Sequence, residues 1–403
     1  MTPPVDPTVP GRQTRATAAS NGTKRPARDA QTTQAPQQTS PQSTPRTTQQ
    51  TTQQTTQLAT PQTARDHPDF PGARLHIVTG KGGTGKTTVA ASLALALASG
   101  GRKVLLCEVE DRQGIAQLFD VPPLPYEERK IATSPGGGDV YALAIEPKAA
   151  LLEYLDLFYH LGRAGKVLEK MGAVDFATTV APGLRDVLLT GKVYEAARRR
   201  DQNGPIYDAV VLDAPPTGRI GRFLNVNEEV VDLAKVGPIR NQAGSIMTLL
   251  RSAQTVVHFV TVLEEMPVQE TQDAVAELRG IGLPLGGVVV TMVREPLLPA
   301  RSLAAAAKGK LPRQDVVAGL EAAGLAGRGG AASTSGAARV ALLAEGLIAE
   351  AAEHALRVQL ETEQRRDLAA LGLPTYELPA LAGGVDLGAL YEFADRLHGQ
   401  GMA

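Results

Sequence analysis

Leu75-His76-Ile77-Val78-Thr79, then Gly80-Lys81-Gly82-Gly83-Thr84-Gly85-Lys86-Thr87-Thr88, then the apolar stretch Val89 to Ala98: these residues decide the fold. An apolar strand runs into a glycine loop, and the loop opens a helix. Backbone N–H groups of such a loop point inward, and the helix dipole attracts negative charge, so the run reads as a phosphate cradle. It satisfies the full GxxxxGK[ST] spacing in strand–helix context, which a chance glycine turn rarely does. Lys86 is placed to reach the β- and γ-phosphates of a nucleotide, and the Thr87 hydroxyl to ligate magnesium. Gly80, Gly82, Gly83, Thr84, Gly85 and Thr88 complete the cradle. Lys81, near its front, is a second lysine that an ordinary phosphate loop does not need.

Working outward, continuous apolar runs recur at 75–79, 103–109, 140–145, 207–212, 255–263 and 287–293. They do not alternate, as expected when helices cover both sheet faces. Helical patterns lie between them, so the expected fold is α/β: a P-loop NTPase with a doubly wound, mostly parallel sheet. Between the third and fourth runs lies a long helical insertion, far more than one crossover requires. It is expected to form a helical subdomain over about 147–205, with 219–250 as a candidate addition. Its apolar, aromatic stretch Leu151 to Tyr159 suits either a hydrophobic groove or the bundle's own core. Residues 324–338 read as a loop, 340–371 as a long helix, 373–379 as a last strand and 387–397 as a final helix.

Residues 1–70 differ in kind: rich in Thr, Gln and Pro, with almost no apolar side chains, they are expected to be a disordered tail. The ATPase domain is expected over 71–403.

The 403-residue chain has a formal net charge of −1, so no bulk field draws it to nucleic acid, and no nucleic-acid partner is expected. Arg198-Arg199-Arg200 reads as a solvated helix end. The single cysteine, Cys107, excludes an intramolecular disulfide and any zinc site needing several cysteines from one chain, and reads as a buried thiol. The six histidines show no paired spacing, so no histidine-built metal site is expected. No apolar run approaches the roughly 18–20 residues of a membrane span. A cytoplasmic protein is expected, peripheral at a membrane only through a partner.

Two further stretches carry chemistry. Val210-Val211-Leu212-Asp213 ends a strand in an acid suited to magnesium, and Ala214-Pro215-Pro216-Thr217-Gly218 follows as a turn suited to sensing a γ-phosphate. At the end of the second strand, Glu108, Glu110 and Asp111 compete to orient an attacking water.

Together these motifs resemble the deviant phosphate loop of the arsenical-pump and tail-anchored-protein-targeting ATPases, shared with the nitrogenase iron protein and the partitioning and septum-site ATPases. The resemblance covers roughly 74–397. It is carried by the loop with Lys81, by Asp213 to Gly218, by Ala181-Pro182-Gly183 and by the stretch Glu264 to Thr271. More narrowly, the chain is similar to actinobacterial members that tend to occur as paired paralogues. The resemblance implies ATP and Mg2+ as cofactors, with Thr87 and Asp213 on the metal. It also implies that Lys81 acts across a homodimer, or a heterodimer with a paralogous ATPase. A client protein or membrane component is a further implied partner. Thr217, Gly218, Thr291 and the loop at Pro374 would complete the nucleotide pocket.

The departures are specific. The family's first switch reads Asp-Pro-Ala, whereas here Glu110 aligns with the Asp and is followed by Asp111 and Arg112. Glu110 is the first choice for orienting water and Asp111 the second. Thr291 stands where the family has an adenine-contacting Asn, which leaves base selectivity open. The arsenite-binding cysteines and the Cys-x-x-Cys zinc clasp are missing. The expected function is therefore a Mg-dependent, ATP-hydrolysing dimeric switch that does not bind arsenite by thiolates. The alternative is a nucleotide-gated targeting or regulatory module with slow hydrolysis, in which Leu155, Phe158 and Leu161 would face a client.

Overall fold

The computed structural model describes residues 68–110, 112–159, 182–233, 238–325 and 334–403. The chain divides into two units, Met1–Leu58 and Ala59–Ala403, and everything described lies in the second. Residues 1–67 of the expected tail, Asp111, Phe158 as a side chain, Leu161 and Ala181 fall outside the described residues. Residues 68–70, placed in the tail from sequence, are described, with the Asp69 N–H bonded to the Gly401 carbonyl at 2.7 Å and Phe70 packed on the core.

The central element is one eight-stranded sheet in the order β10-β9-β8-β1-β7-β2-β4-β3. β1 (Leu75–Gly80) lies in its middle, flanked by β7 (Ala209–Asp213) and β8 (Thr255–Thr261), both parallel to it. β2 (Lys103–Glu108) pairs with β7 and with β4 (Asp139–Ala144), again in parallel. β9 (Leu285–Val293) and β10 (Thr375–Pro379) extend the sheet beyond β8. Every residue of β1, β7 and β8 is buried, which explains their unbroken apolar reading.

β3 (Arg129–Thr133) is an antiparallel edge strand that the sequence pattern did not reveal. Its Arg-Lys-Ile-Ala-Thr is short and largely exposed, and charged residues at a sheet edge hide the strand signal while discouraging edge pairing. A two-residue hairpin, β5 (Arg200–Asp201) with β6 (Gly204–Pro205), ends the stretch expected to be helical to 205.

Helices cover both faces. On one, α1 (Lys86–Leu97) is apolar all round because it lies between the sheet and the last helix, α11 (Leu387–Gly399). α2 (Gly114–Leu118) joins this face through Ile115. α11 starts where the Asp386 side chain accepts the Ala389 N–H at 2.8 Å, an N-cap that satisfies one orphan donor. The C-terminal Met402 and Ala403 are buried in the same core.

The opposite face carries α3 (Pro147–Tyr159), α4 (Pro182–Arg198), α5 (Thr217–Leu233), α6 (Pro238–Leu250) and α7 (Glu265–Gly280). Leu188, Leu189, Phe223, Leu224, Ile246 and Leu278 bind these helices to the sheet in one continuous core. α8 (Ala300–Ala306) and α9 (Arg313–Ala322) were not separated in the sequence reading, and they contact the 36-residue α10 (Thr334–Ala369). That helix begins inside the expected loop 324–338.

Arg199 corrects the reading of the triple arginine as solvated. Its guanidinium bonds the Glu128 carboxylate and pairs with Glu195 at 3.1 Å, beside the Tyr207 hydroxyl, which donates to Glu128 at 2.7 Å. Cys107 is buried, and desolvation drives its thiol pKa far up, which leaves it unreactive.

Candidate functional site

The loop after β1 sits at the carboxyl end of the sheet, where open α/β sheets place ligands. Gly80 is required by close approach: a Cβ there would lie 2.2 Å from the Val260 carbonyl oxygen on β8. Gly85 takes a left-handed φ of 86° and caps α1 without a side-chain bond, so the first N–H groups of that helix face the loop unclaimed by a cap. Gly82 and Gly83 are exposed at the loop's tip, and Thr88 is half-buried in the first helical turn. The Thr84 hydroxyl donates to the Lys81 carbonyl at 2.8 Å and closes the turn.

Three polar side chains converge beneath the loop. Thr87 Oγ1 donates to Asp213 Oδ2 at 2.7 Å. Asp213 is buried at the end of β7, and its Oδ1 has no hydrogen-bond partner among the described residues. Burial raises the Asp213 carboxyl to about 7; the Thr87 bond and Lys86 oppose this, and Glu108 and Glu110 add to it. Lys86 is also buried; desolvation lowers its pKa, with the charges of Asp213 and Glu110 acting the other way.

Glu108 was named in sequence only as one of three competing acids. Parallel register sets it directly beside Asp213, and it is buried, with Oε1 accepting the Gly114 N–H at 2.8 Å. A Cβ on Gly114 would stand 3.2 Å from Thr87 Cγ2 and 3.5 Å from that same oxygen, so Glu108 adjoins the Thr87–Asp213 pair. Glu110 is half-buried, with Arg112 Nη2 at 3.6 Å from its Oε2.

The turn after Asp213 is tied to β1: the Ala214 N–H reaches the Val78 carbonyl at 3.0 Å, and Thr79 Oγ1 donates to the Pro215 carbonyl at 2.7 Å. Thr217 opens α5 buried, and Gly218 beside it is exposed. Glu270 on α7 joins the turn to the loop. Its Oε1 accepts from Lys81 Nζ at 2.5 Å and its Oε2 from Thr217 Oγ1 at 3.2 Å. Sequence reading had placed Glu270 only within a longer similar stretch.

The two residues expected at the base pocket separate. Thr291 lies at the carboxyl end of β9, where its hydroxyl donates to the Thr84 carbonyl at 2.7 Å, with the Thr261 carbonyl at 3.2 Å. It therefore braces the phosphate loop, and the next residue, Met292, is exposed at a left-handed φ of 56°. Pro374 precedes β10, and its carbonyl accepts the Val288 N–H at 2.8 Å; register sets Val288 level with Phe259 of β8 and so with Thr79 of β1, with β9 and β8 lying between β10 and β1. The part of β10 that reaches the loop side is its end, where the Ala380 N–H meets the Val293 carbonyl at 2.8 Å.

Away from the loop, α3, α4, α5 and α6 enclose an apolar cavity of about 590 Å³, bordered by Tyr126, Tyr154, Leu155, Leu184, Leu188 and Ile246. Leu155 is half-buried against the core.

The family profile of anion-transporting ATPases matches residues 73–253 of this chain. The chain is 54% identical over 332 residues to ATPase BagA of Mycobacterium tuberculosis, covering 82% of this chain and 94% of that protein. It is 25% identical over 255 residues to an ATPase ASNA1 homolog of Entamoeba dispar, covering 54% and 75%. With ATPase GET3 of Kluyveromyces lactis it shares 29% over 187 residues, covering 44% and 52%.

Proposed function

The chain belongs to the anion-transporting ATPase family, and from that membership we propose that it is a magnesium-dependent switch that binds and hydrolyses ATP as a dimer. The observation that carries this is the Thr87–Asp213 pair, 2.7 Å apart at the foot of an uncapped helix that opens from the glycine loop.

In the proposal, backbone N–H groups of Gly82 to Thr88 hold the phosphates, and Lys86 lies against the β- and γ-oxygens. The donor set fits Mg2+: an unpartnered buried Asp213 Oδ1 beside a hydroxyl supplies hard oxygen ligands, as that ion requires. Thr87 would hold it directly and Asp213 through water; when bound, it neutralises charge between the β- and γ-phosphates. Glu110 orients the attacking water, with Asp111 as the alternative. Thr217 and Gly218 carry the nucleotide state into α5. Thr291 serves the pocket by fixing the loop backbone, and base contact passes to the Met292 and Ala380 side of the sheet. Lys81 leaves Glu270 to reach phosphates across a dimer, with a second copy or a paralogous ATPase. A cytoplasmic setting belongs to the same proposal; no helix among the described residues is long and apolar enough to cross a membrane.

A second reading is favoured by the apolar cavity: a nucleotide-gated module that holds a client between α3 and α6. Widening of that cavity on addition of Mg·ATP, read by a probe at Leu155, would support it.

The test is ATP turnover with oligomeric mass, with and without Mg·ATP, for wild type, Lys81→Ala and Glu110→Gln. Turnover by wild type, its loss in Lys81→Ala and a trapped dimer in Glu110→Gln are expected. A wild type that binds ATP without turnover or change of mass would sink the ATPase reading for this chain alone.

A further inference from the structure

A second, polar chamber lies beside the proposed site. It encloses about 190 Å³ between the end of β2, the start of α4 and the start of α5. Glu110, Arg112, Arg185, Asp186, Pro215 and Arg219 border it. Three guanidinium groups thus face two carboxylates, and the surplus charge is positive.

The charges do not cancel in tight pairs. Arg112 approaches Glu110 only to 3.6 Å, and Arg219 approaches Asp186 only to 3.6 Å. Both distances exceed a hydrogen bond, so neither pair is locked together. Asp186 is buried, and its Oδ1 has no hydrogen-bond partner among the described residues. Desolvation raises its pKa, with the field of Arg219, Arg185 and Arg222 opposing. Arg185, half-buried on the same helical turn, forms no ion pair among the described residues. A buried acceptor that has a loose ion pair and no hydrogen bond, beside guanidinium donors, suits a ligand that offers both kinds of group.

The chamber adjoins the phosphate loop. Pro215 is held to Thr79, at the end of β1, by a 2.7 Å hydrogen bond, and the charges of Glu110 and Arg112 reach Lys86.

We propose that this chamber binds inorganic phosphate, the product of the hydrolysis proposed above and a reading on which this inference rests. Water supplies the fourth oxygen as the bond to ADP breaks; one of its protons stays on the phosphate and the other leaves to solvent by way of the Glu110 carboxylate. The ion therefore carries acceptor oxygens for Arg185, Arg219 and Arg112 and an O–H donor for Asp186. Sulfate has the same shape and lacks that donor at neutral pH, so Asp186 sets the choice between them.

The experiment titrates sodium phosphate, and separately sodium sulfate, into the full chain saturated with Mg·ADP, by calorimetry, for wild type, Arg185→Gln and Asp186→Asn. Wild type is expected to bind phosphate at least about tenfold more tightly than sulfate. Arg185→Gln weakens both anions by about tenfold. Asp186→Asn brings the two affinities together by weakening phosphate alone. Equal affinities in wild type, or phosphate binding unchanged in Arg185→Gln, overturn the proposal. Should Asp186→Asn fail to fold, Arg185→Gln with Arg112→Gln on the exposed side decides it. A parallel pair of assays separates the source of the phosphate: turnover, and phosphate release followed by a fluorescent sensor. ATP hydrolysis without anion discrimination overturns the chamber. Anion discrimination without hydrolysis overturns the ATPase reading and with it the product as the source of the ion.

Discussion

His76 on β1 and His258 on β8 meet inside the sheet, Nδ1 to Nε2, at 3.1 Å, with rings stacked 5.4 Å apart between centroids. Both are fully buried, Phe70 meets His258 edge-on, and His258 Nδ1 accepts the Gly287 N–H at 3.2 Å. Only neutral rings suit this arrangement. Burial lowers His76 from 6.5 to about 4; a hydrogen bond that the ring gives to the Ala73 backbone opposes that, and Arg102 adds to it. His258 is lowered too, first by burial and then by His76. A base whose folded pKa is lowered binds fewer protons folded than unfolded. Its stabilisation is therefore complete above about pH 6.5 and is lost as pH falls toward 4. At pH 5 an unfolded histidine is almost wholly protonated and folded His76 about nine-tenths neutral, so this one residue removes about 2 kcal/mol relative to pH 7. The perturbation is His76→Leu, which keeps an apolar volume in the strand and removes the titration. Urea midpoints and slopes at pH 7 and pH 5 give the loss for each protein. The variant is expected to lose about 2 kcal/mol less than wild type over that interval, since carboxylates elsewhere titrate equally in both. An equal loss in the two proteins would refute the claim that the pair is held neutral by burial.

Three other outcomes follow from particular contacts. Gly80→Ala puts a methyl 2.2 Å from the Val260 carbonyl oxygen, so β1 and β8 must part at the loop; a loss of about 3 kcal/mol is expected, and an unchanged melting temperature would contradict the geometry. Asp213→Ala should lower nucleotide affinity about 10–100-fold with magnesium and little in a chelator, as read by a fluorescent ATP analogue; equal effects in both buffers would argue against the metal assignment. Glu270→Gln should raise the rate at which an acylating reagent labels Lys81 while changing stability by less than about 1 kcal/mol, because both side chains are about one-third exposed; unchanged labelling would show that Lys81 is held by something else.

The parts of the architecture that were legible in sequence are those with local signals. β1, the glycine loop, α1 and β7 announce themselves by unbroken apolar runs and by residues whose chemistry fits one turn. β3 was hidden because an exposed edge strand needs no apolar run. The residues that sequence could not bring together are the ones joined by register or by distance along the chain. His76 and His258 are 182 positions apart and meet through a neighbouring strand pair. Glu108 stands beside Asp213 only because β2 and β7 are adjacent and in register. Glu270 bridges two loops from a helix that neither loop touches in sequence. Pro374 was drawn to the nucleotide pocket by resemblance, and register sets it against Val288 of β9, with β8 still between that strand and β1. Asp111, competing with Glu110, lies outside the described residues.

Glu270 has a consequence for how messages pass through this molecule. One carboxylate serves two clients, an ammonium on the phosphate loop and a hydroxyl at the start of α5. Whatever draws Lys81 away leaves Glu270 with a charge to re-solvate and Thr217 as its remaining neighbour, so the helix start inherits the disturbance. The reverse must hold with equal force: an event that pulls Thr217 out of place alters how readily Lys81 departs. A single side chain thereby makes the loop and the turn thermodynamic correspondents, each reporting on the other in the same free energy.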